Sequence, residues 1–146
     1  MDIIGIMEGS LRGTHKKHWL SLLLIEKILI EKYFPWLNLI INYKSKSLVG
    51  KGTLIINNKR FNIVVSYSPY NVGRYDRIYI QDSNIKFNNN IHLYADKSLC
   101  LYHPIFDKPL FGYIPFIKMI PWITEWIVFY QQWKKYGVWF GDEIKH

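Results

Sequence analysis

The chain has 146 residues, enough for one domain with a real core and too few for several. Its 49% apolar and 17% aromatic content excludes a disordered segment. The net charge of +8 invites an acidic partner, but no basic run exceeds pairs such as Lys16-Lys17 and Lys134-Lys135, so the charge reads as a solvated surface.

The opening "MDIIGIMEGS" carries Asp2 and Glu8 without a basic stretch, unlike a secretory leader, and the first dozen residues read as a loose lead-in. Residues 15–34 read as a helix. Thr14 is placed to cap it, Lys27 and Glu31 form an i, i+4 pair, and Pro35 stops it. Trp19, Leu22, Leu23, Ile25, Leu29, Ile30 and Tyr33 supply the apolar side.

Four strands follow. "LNLIINYK" (37–44) and "FNIVVSYS" (61–68) alternate apolar and polar residues; "KGTLII" (51–56) runs into the turn "NNKR"; "RIYIQ" (77–81) is the fourth. The Asn-Asn turn is a hairpin signal, and the short connections predict an antiparallel meander.

Residues 82–116 show no period and read as a long ordered loop, a type of segment that is usually functional. A last helix has Pro121 in its first turn and Gly137 at its end, with Trp122, Trp126, Phe129 and Trp133 on one face. The terminal "VWFGDEIKH" is rich enough in aromatics to pack. The expected fold is α+β: helix, four-stranded antiparallel meander, active-site loop, helix, in a single domain over residues 1–146. The greasy stretches are broken too soon for a membrane span. With one cysteine, which excludes an intrachain disulfide, a soluble cytoplasmic protein is expected.

The unpatterned segment holds that cysteine, Cys100, in "IHLYADKSLCLYHP" (91–104). Three roles are open. It is a buried space-filler, as free cysteines often are. It is a metal ligand with His92 and His103, although the fourth ligand would have to come from Asp96, Asp107 or a distant histidine. Or it is a nucleophile, with His92 or His103 as oxyanion donor or polarising base. Trp122, Trp126, Phe129 and Trp133 read as core, with partner docking as the alternative, and Glu125 reads as solvated.

The order of elements, the Ser98-Leu99-Cys100-Leu101 stretch and "YSPY" (67–70) resemble the ubiquitin-conjugating enzymes. In that family a Gly-Ser-Ile-Cys-Leu nucleophile stretch follows a His-Pro-Asn tripeptide. Here the tripeptide is missing, His92 stands at its Asn, and Lys97 stands where Gly is usual. "HLYADKSLCLYHP", "IPWITEWIVFYQQW" and "YGVWFGDEIKH" are similar to a divergent bacterial branch of anti-phage systems built around a cGAS-like cyclic-oligonucleotide synthase. The resemblance spans residues 15–146. It implies that Cys100 accepts the C-terminus of a partner, the cGAS-like nucleotidyltransferase, as a thioester and passes it to an amine. It implies His92 as substitute for the Asn, and Asp107 as gate or base for the amine. The chain is too short to hold an activating domain, so the cargo comes from a separate activating enzyme or the system lacks one. This reading needs no cofactor and no metal. A docking module of the same fold is the alternative, and a nucleic-acid binder is a third.

Overall fold

Pro35 forces the preceding residue out of helical geometry, so Phe34 lies at φ −130° and ψ 69° and the first helix, α1, spans Trp19–Tyr33. The computed structural model describes residues 17–82, 84–102 and 112–141. His18 is the N-cap of α1 and makes no side-chain bond, and residues 15 and 16 of the expected helix lie outside the described residues. Thr14 and the lead-in lie outside the described residues. The Lys27–Glu31 pair forms at 2.6 Å. Leu23, Glu26 and Ile30 are the fully buried line of α1, while Tyr33 is exposed.

The sheet is the expected meander, in the order β1-β2-β3-β4 with every pair antiparallel: β1 (Leu37–Asn42), β2 (Ser47–Ile56), β3 (Lys59–Tyr67) and β4 (Asp76–Ile80). Asn57 and Asn58 both take positive φ, 52° and 63°, the geometry of a two-residue type I′ turn closing the Ile56–Lys59 pair. The β2 strand starts four residues before the alternating stretch at 51–56. Its Gly50 breaks the apolar pattern because β1 passes too close for a side chain: a Cβ there would lie 2.1 Å from the Asn38 carbonyl oxygen.

The inner face of the sheet, with Leu37, Leu39, Leu48, Phe61, Ile63, Val65, Tyr67, Ile78 and Ile80, shares one core with both helices. The second helix, α2, spans Phe116–Tyr136 and ends at Gly137, whose φ of 74° suits glycine. Pro121 therefore sits inside α2 and not in its first turn. The helix starts earlier because the residues before Pro121 bury Phe116, Met119 and Ile120, and that packing outweighs the lost backbone bond. The buried stripe of α2 is Phe116, Met119, Ile120, Ile123, Trp126, Ile127 and Tyr130. Of the expected aromatic face only Trp126 is fully buried; Trp122 and Trp133 flank the core.

Three groups fix where α2 begins. Tyr67 donates to the Ile114 carbonyl at 2.7 Å, and the Ile114 N–H donates to the Tyr75 hydroxyl at 2.9 Å. Tyr67 also stacks on Phe116, with centroids 4.8 Å apart. Glu26 of α1 accepts the Ile117 N–H at 2.8 Å, in the first turn of α2. An N-terminal turn favours a carboxylate, but Glu26 is 0% exposed and its second oxygen has no partner among the described residues. Burial wins over the bonds from Ile117 and Phe116 and raises its pKa from 4.5 to about 8.

The folded state thus holds the Glu26 proton more tightly than the unfolded chain does. Its contribution to stability is full below about pH 4.5 and is lost as pH rises through about 8. Glu26→Gln keeps an acceptor for Ile117 and cannot ionise. The fall in urea-unfolding stability between pH 5.5 and 8.5 is expected to shrink by on the order of 2 kcal/mol in this variant.

Candidate active site around Cys100

The segment from Asn88 to Tyr102 folds against the open edge of the sheet. Asn88 caps a short 3-10 turn, Asn89–Ile91, by accepting the Asn90 N–H. His92 follows in left-handed geometry, φ 54°. Leu93 and Leu99 pair as an isolated bridge, and Tyr94 exchanges backbone bonds with Lys97 and Ser98, making a miniature hairpin. The Leu99 N–H donates to the Ile78 carbonyl of β4 at 2.8 Å, and the Cys100 N–H to the His92 carbonyl at 3.0 Å. From the other side the Trp126 indole donates to the Ile91 and His92 carbonyls, at 3.0 and 3.2 Å.

Polar groups gather on the hairpin. Asp96 accepts the Ser98 N–H at 2.9 Å, the Ser98 hydroxyl at 2.6 Å and the Tyr79 hydroxyl at 3.1 Å. Arg74, 22% exposed, stacks on Tyr94 at 3.5 Å, donates to the Ser98 hydroxyl, and lies 3.8 Å from Asp76 and 3.7 Å from Asp96. Asp76 is 0% exposed and accepts the Tyr102 hydroxyl at 2.9 Å. Burial raises the Asp76 pKa despite Arg74 and Tyr102.

Cys100 sits inside this ring. Its thiol donates to the Tyr102 carbonyl at 3.6 Å. Burial pushes its pKa from 9.0 to about 11, Asp76 adds to the rise, and a hydrogen bond from Tyr94, the Tyr102 backbone and the Arg74 charge oppose it. A nucleophile calls for a thiol that its substrate can reach, yet Cys100 is 2% exposed. The hairpin that positions the cysteine also buries it, with the Tyr94 side chain and the Tyr102 carbonyl bonded to its sulfur.

His92 comes to the cysteine by its backbone. Its ring packs on Trp139, 4.9 Å between centroids, and is mostly buried. His103 and Asp107 lie outside the described residues. Among the described residues no three His, Cys, Asp or Glu side chains are arranged to hold a metal ion, and no helix is long and apolar enough to cross a membrane. Sequence reasoning missed Arg74, Asp76, Tyr94 and Tyr102 as neighbours of the thiol. Tyr94, Asp96 and Ser98 carried a signal, an every-second-residue pattern before Cys100. Arg74 and Asp76 carried none, since only folding brings them there.

A four-stranded antiparallel meander with a helix before it, a cysteine-bearing loop after its last strand and a closing helix is the ubiquitin-conjugating-enzyme-like fold. The type II CBASS E2 protein family matches residues 26–146, and the chain belongs to that family. Its role is accordingly E2-like and tied to a CBASS system with other components. Neither curated proteins nor solved structures yield a match.

Lys97 stands at the usual glycine of the nucleophile stretch, and its φ of 71° is the left-handed geometry that glycine adopts without cost. Lys97→Gly is expected to stabilise the fold by up to about 1 kcal/mol in urea unfolding. In the protein alone, Cys100 should react with iodoacetamide at pH 7.5 at least about 100-fold more slowly than in the denatured chain, with a rate that climbs with pH toward about 11. Mass spectrometry of timed quenches checks it.

Proposed function

We propose that this protein is a conjugating enzyme of the CBASS system that carries the C-terminus of a cGAS-like nucleotidyltransferase on Cys100. The observation that carries the reading is the backbone clamp on the Leu99–Cys100 stretch, between β4 and the His92 carbonyl, in a chain of this family. The partner's C-terminal carbonyl arrives as an activated acyl group. Cys100 Sγ attacks it, a carbon–sulfur bond forms, the activating group leaves, and the thiol proton departs with it or to solvent. An amine then attacks the thioester carbon. The carbon–sulfur bond breaks, the thiolate leaves, and the proton lost by the amine restores the thiol. His92, His103 and Asp107 are proposed to assist, His92 by holding the loop and the oxyanion region, Asp107 at the amine. A separate activating enzyme supplies the cargo where the system has one.

A resting thiol near pKa 11 is a poor nucleophile. The reading therefore includes an opening step, in which Tyr94 and Tyr102, the two residues that hydrogen-bond the sulfur, separate when the partner docks. The burial favours a second reading as well: a docking module whose cysteine never reacts.

The two diverge on adding partners. Co-expression with the genomic neighbours should yield an adduct that reductant cleaves, since thiols attack thioesters and spare amides. Cys100→Ser should give no adduct or a reductant-resistant oxyester, and Cys100→Ala none. Partner addition should also speed alkylation of the wild-type thiol about tenfold or more. Full conjugation by Cys100→Ala, or alkylation as slow with partner as without, would assign the protein to docking alone.

A further inference from the structure

Four of the 19 basic residues that look scattered in the sequence meet at one place in the fold. A groove of about 930 Å³ runs between the tip of the β2–β3 hairpin and the last turns of α2. Lys59 and Arg60 line it from the strand, Lys134 and Lys135 from the helix, and Asp82 is the single carboxylate in its lining among the described residues. The groove is braced, since Asn57 donates to Gln131 at 2.8 Å and Gln131 donates to the Ile56 carbonyl at 2.9 Å. None of the four cations forms an ion pair among the described residues. Two lysines in a last helical turn offset the helix dipole. That accounts for Lys134 and Lys135 and leaves Lys59 and Arg60, which belong to a strand, without a purpose.

We propose that this groove is a docking site for an acidic polypeptide segment of a partner, distinct from the Cys100 site. Four cations against one carboxylate give the complementarity. The lining favours a polypeptide over a nucleic acid on two grounds. The aromatic rings at the groove, Phe61 and Tyr130, are buried and offer no platform on which bases could stack. The lining also holds the oxygen acceptors of Asp82, Asn84 and Gln131, with which the N–H groups of a peptide backbone can pair and a phosphodiester backbone, having no donor, cannot.

The test is fluorescence anisotropy with the full chain and three probes of equal length: an alternating Glu-Asp decapeptide, a Ser-Gly decapeptide and oligothymidylate. The acidic peptide is expected to bind, to weaken at least tenfold between 50 and 500 mM salt as screening shortens to a few ångströms, and to weaken at least tenfold in Lys134→Glu/Lys135→Glu and in Lys59→Glu/Arg60→Glu. The exposed pair Lys17→Glu/Lys32→Glu, just before α1 and in its last turn, with the same change in net charge, should leave it within twofold. Circular dichroism confirms that each variant folds. Equal losses in the α1 variant would reduce the effect to net charge and overturn the site. Insensitivity to the groove variants, or no binding of the acidic peptide, overturns it too. Tighter, groove-dependent binding of oligothymidylate would replace it with a nucleic-acid surface. No conjugation is needed in this assay, so its outcome is independent of the thioester reading.

Discussion

The stretch before Cys100 cannot hold itself. It has no helix or strand of its own length, so its backbone groups must find partners elsewhere. They find them on two sides: the Ile78 carbonyl at the sheet edge, and the Trp126 indole from α2, which takes two consecutive carbonyls. The position of the cysteine is therefore set by the distance between β4 and α2. That distance is set in turn by the anchoring of α2 at its start, where Tyr67, Tyr75 and Glu26 hold Ile114 and Ile117.

This arrangement explains why tyrosines are so numerous. Tyr67, Tyr75 and Tyr102 each place an aromatic body in the core or beside it and a polar tip where a backbone or carboxylate needs one. Plain aliphatic residues would fill the same volume and leave the Ile114 groups and the Asp76 carboxylate unpaired, a cost of about 1–3 kcal/mol for each buried group. Two tyrosines also bond the thiol, Tyr94 through its side chain and Tyr102 through its backbone carbonyl. A site whose cysteine is at once clamped in position and covered has precise geometry and low resting reactivity, two properties that suit a carrier engaged only with its partner present.

Charge in this protein is organised on two scales. Around the cysteine, Arg74 faces Asp76 and Asp96 at 3.7–3.8 Å, distances at which direct Coulomb attraction opposes the burial of Asp76. At the hairpin tip and the end of α2 the cations have no such counterparts among the described residues, and they lie open to solvent.

The sequence by itself determined the order of helix, meander and helix, the Asn-Asn hairpin turn and the place of the cysteine-bearing stretch, because periodicity, turn chemistry and the Ser-Leu-Cys-Leu run are local properties of the chain. It also marked Lys97 by its departure from glycine, at a position where the backbone is left-handed. It misjudged the start of β2, where Gly50 serves a close strand approach, and the start of α2, where packing overrode Pro121. Only the tertiary structure decided that Cys100 is covered, that Arg74 and Asp76 face it, and that Lys59 and Lys134 share a groove. Burial and electrostatic neighbourhood depend on residues tens of positions apart in the chain, and no local pattern encodes which of them will meet.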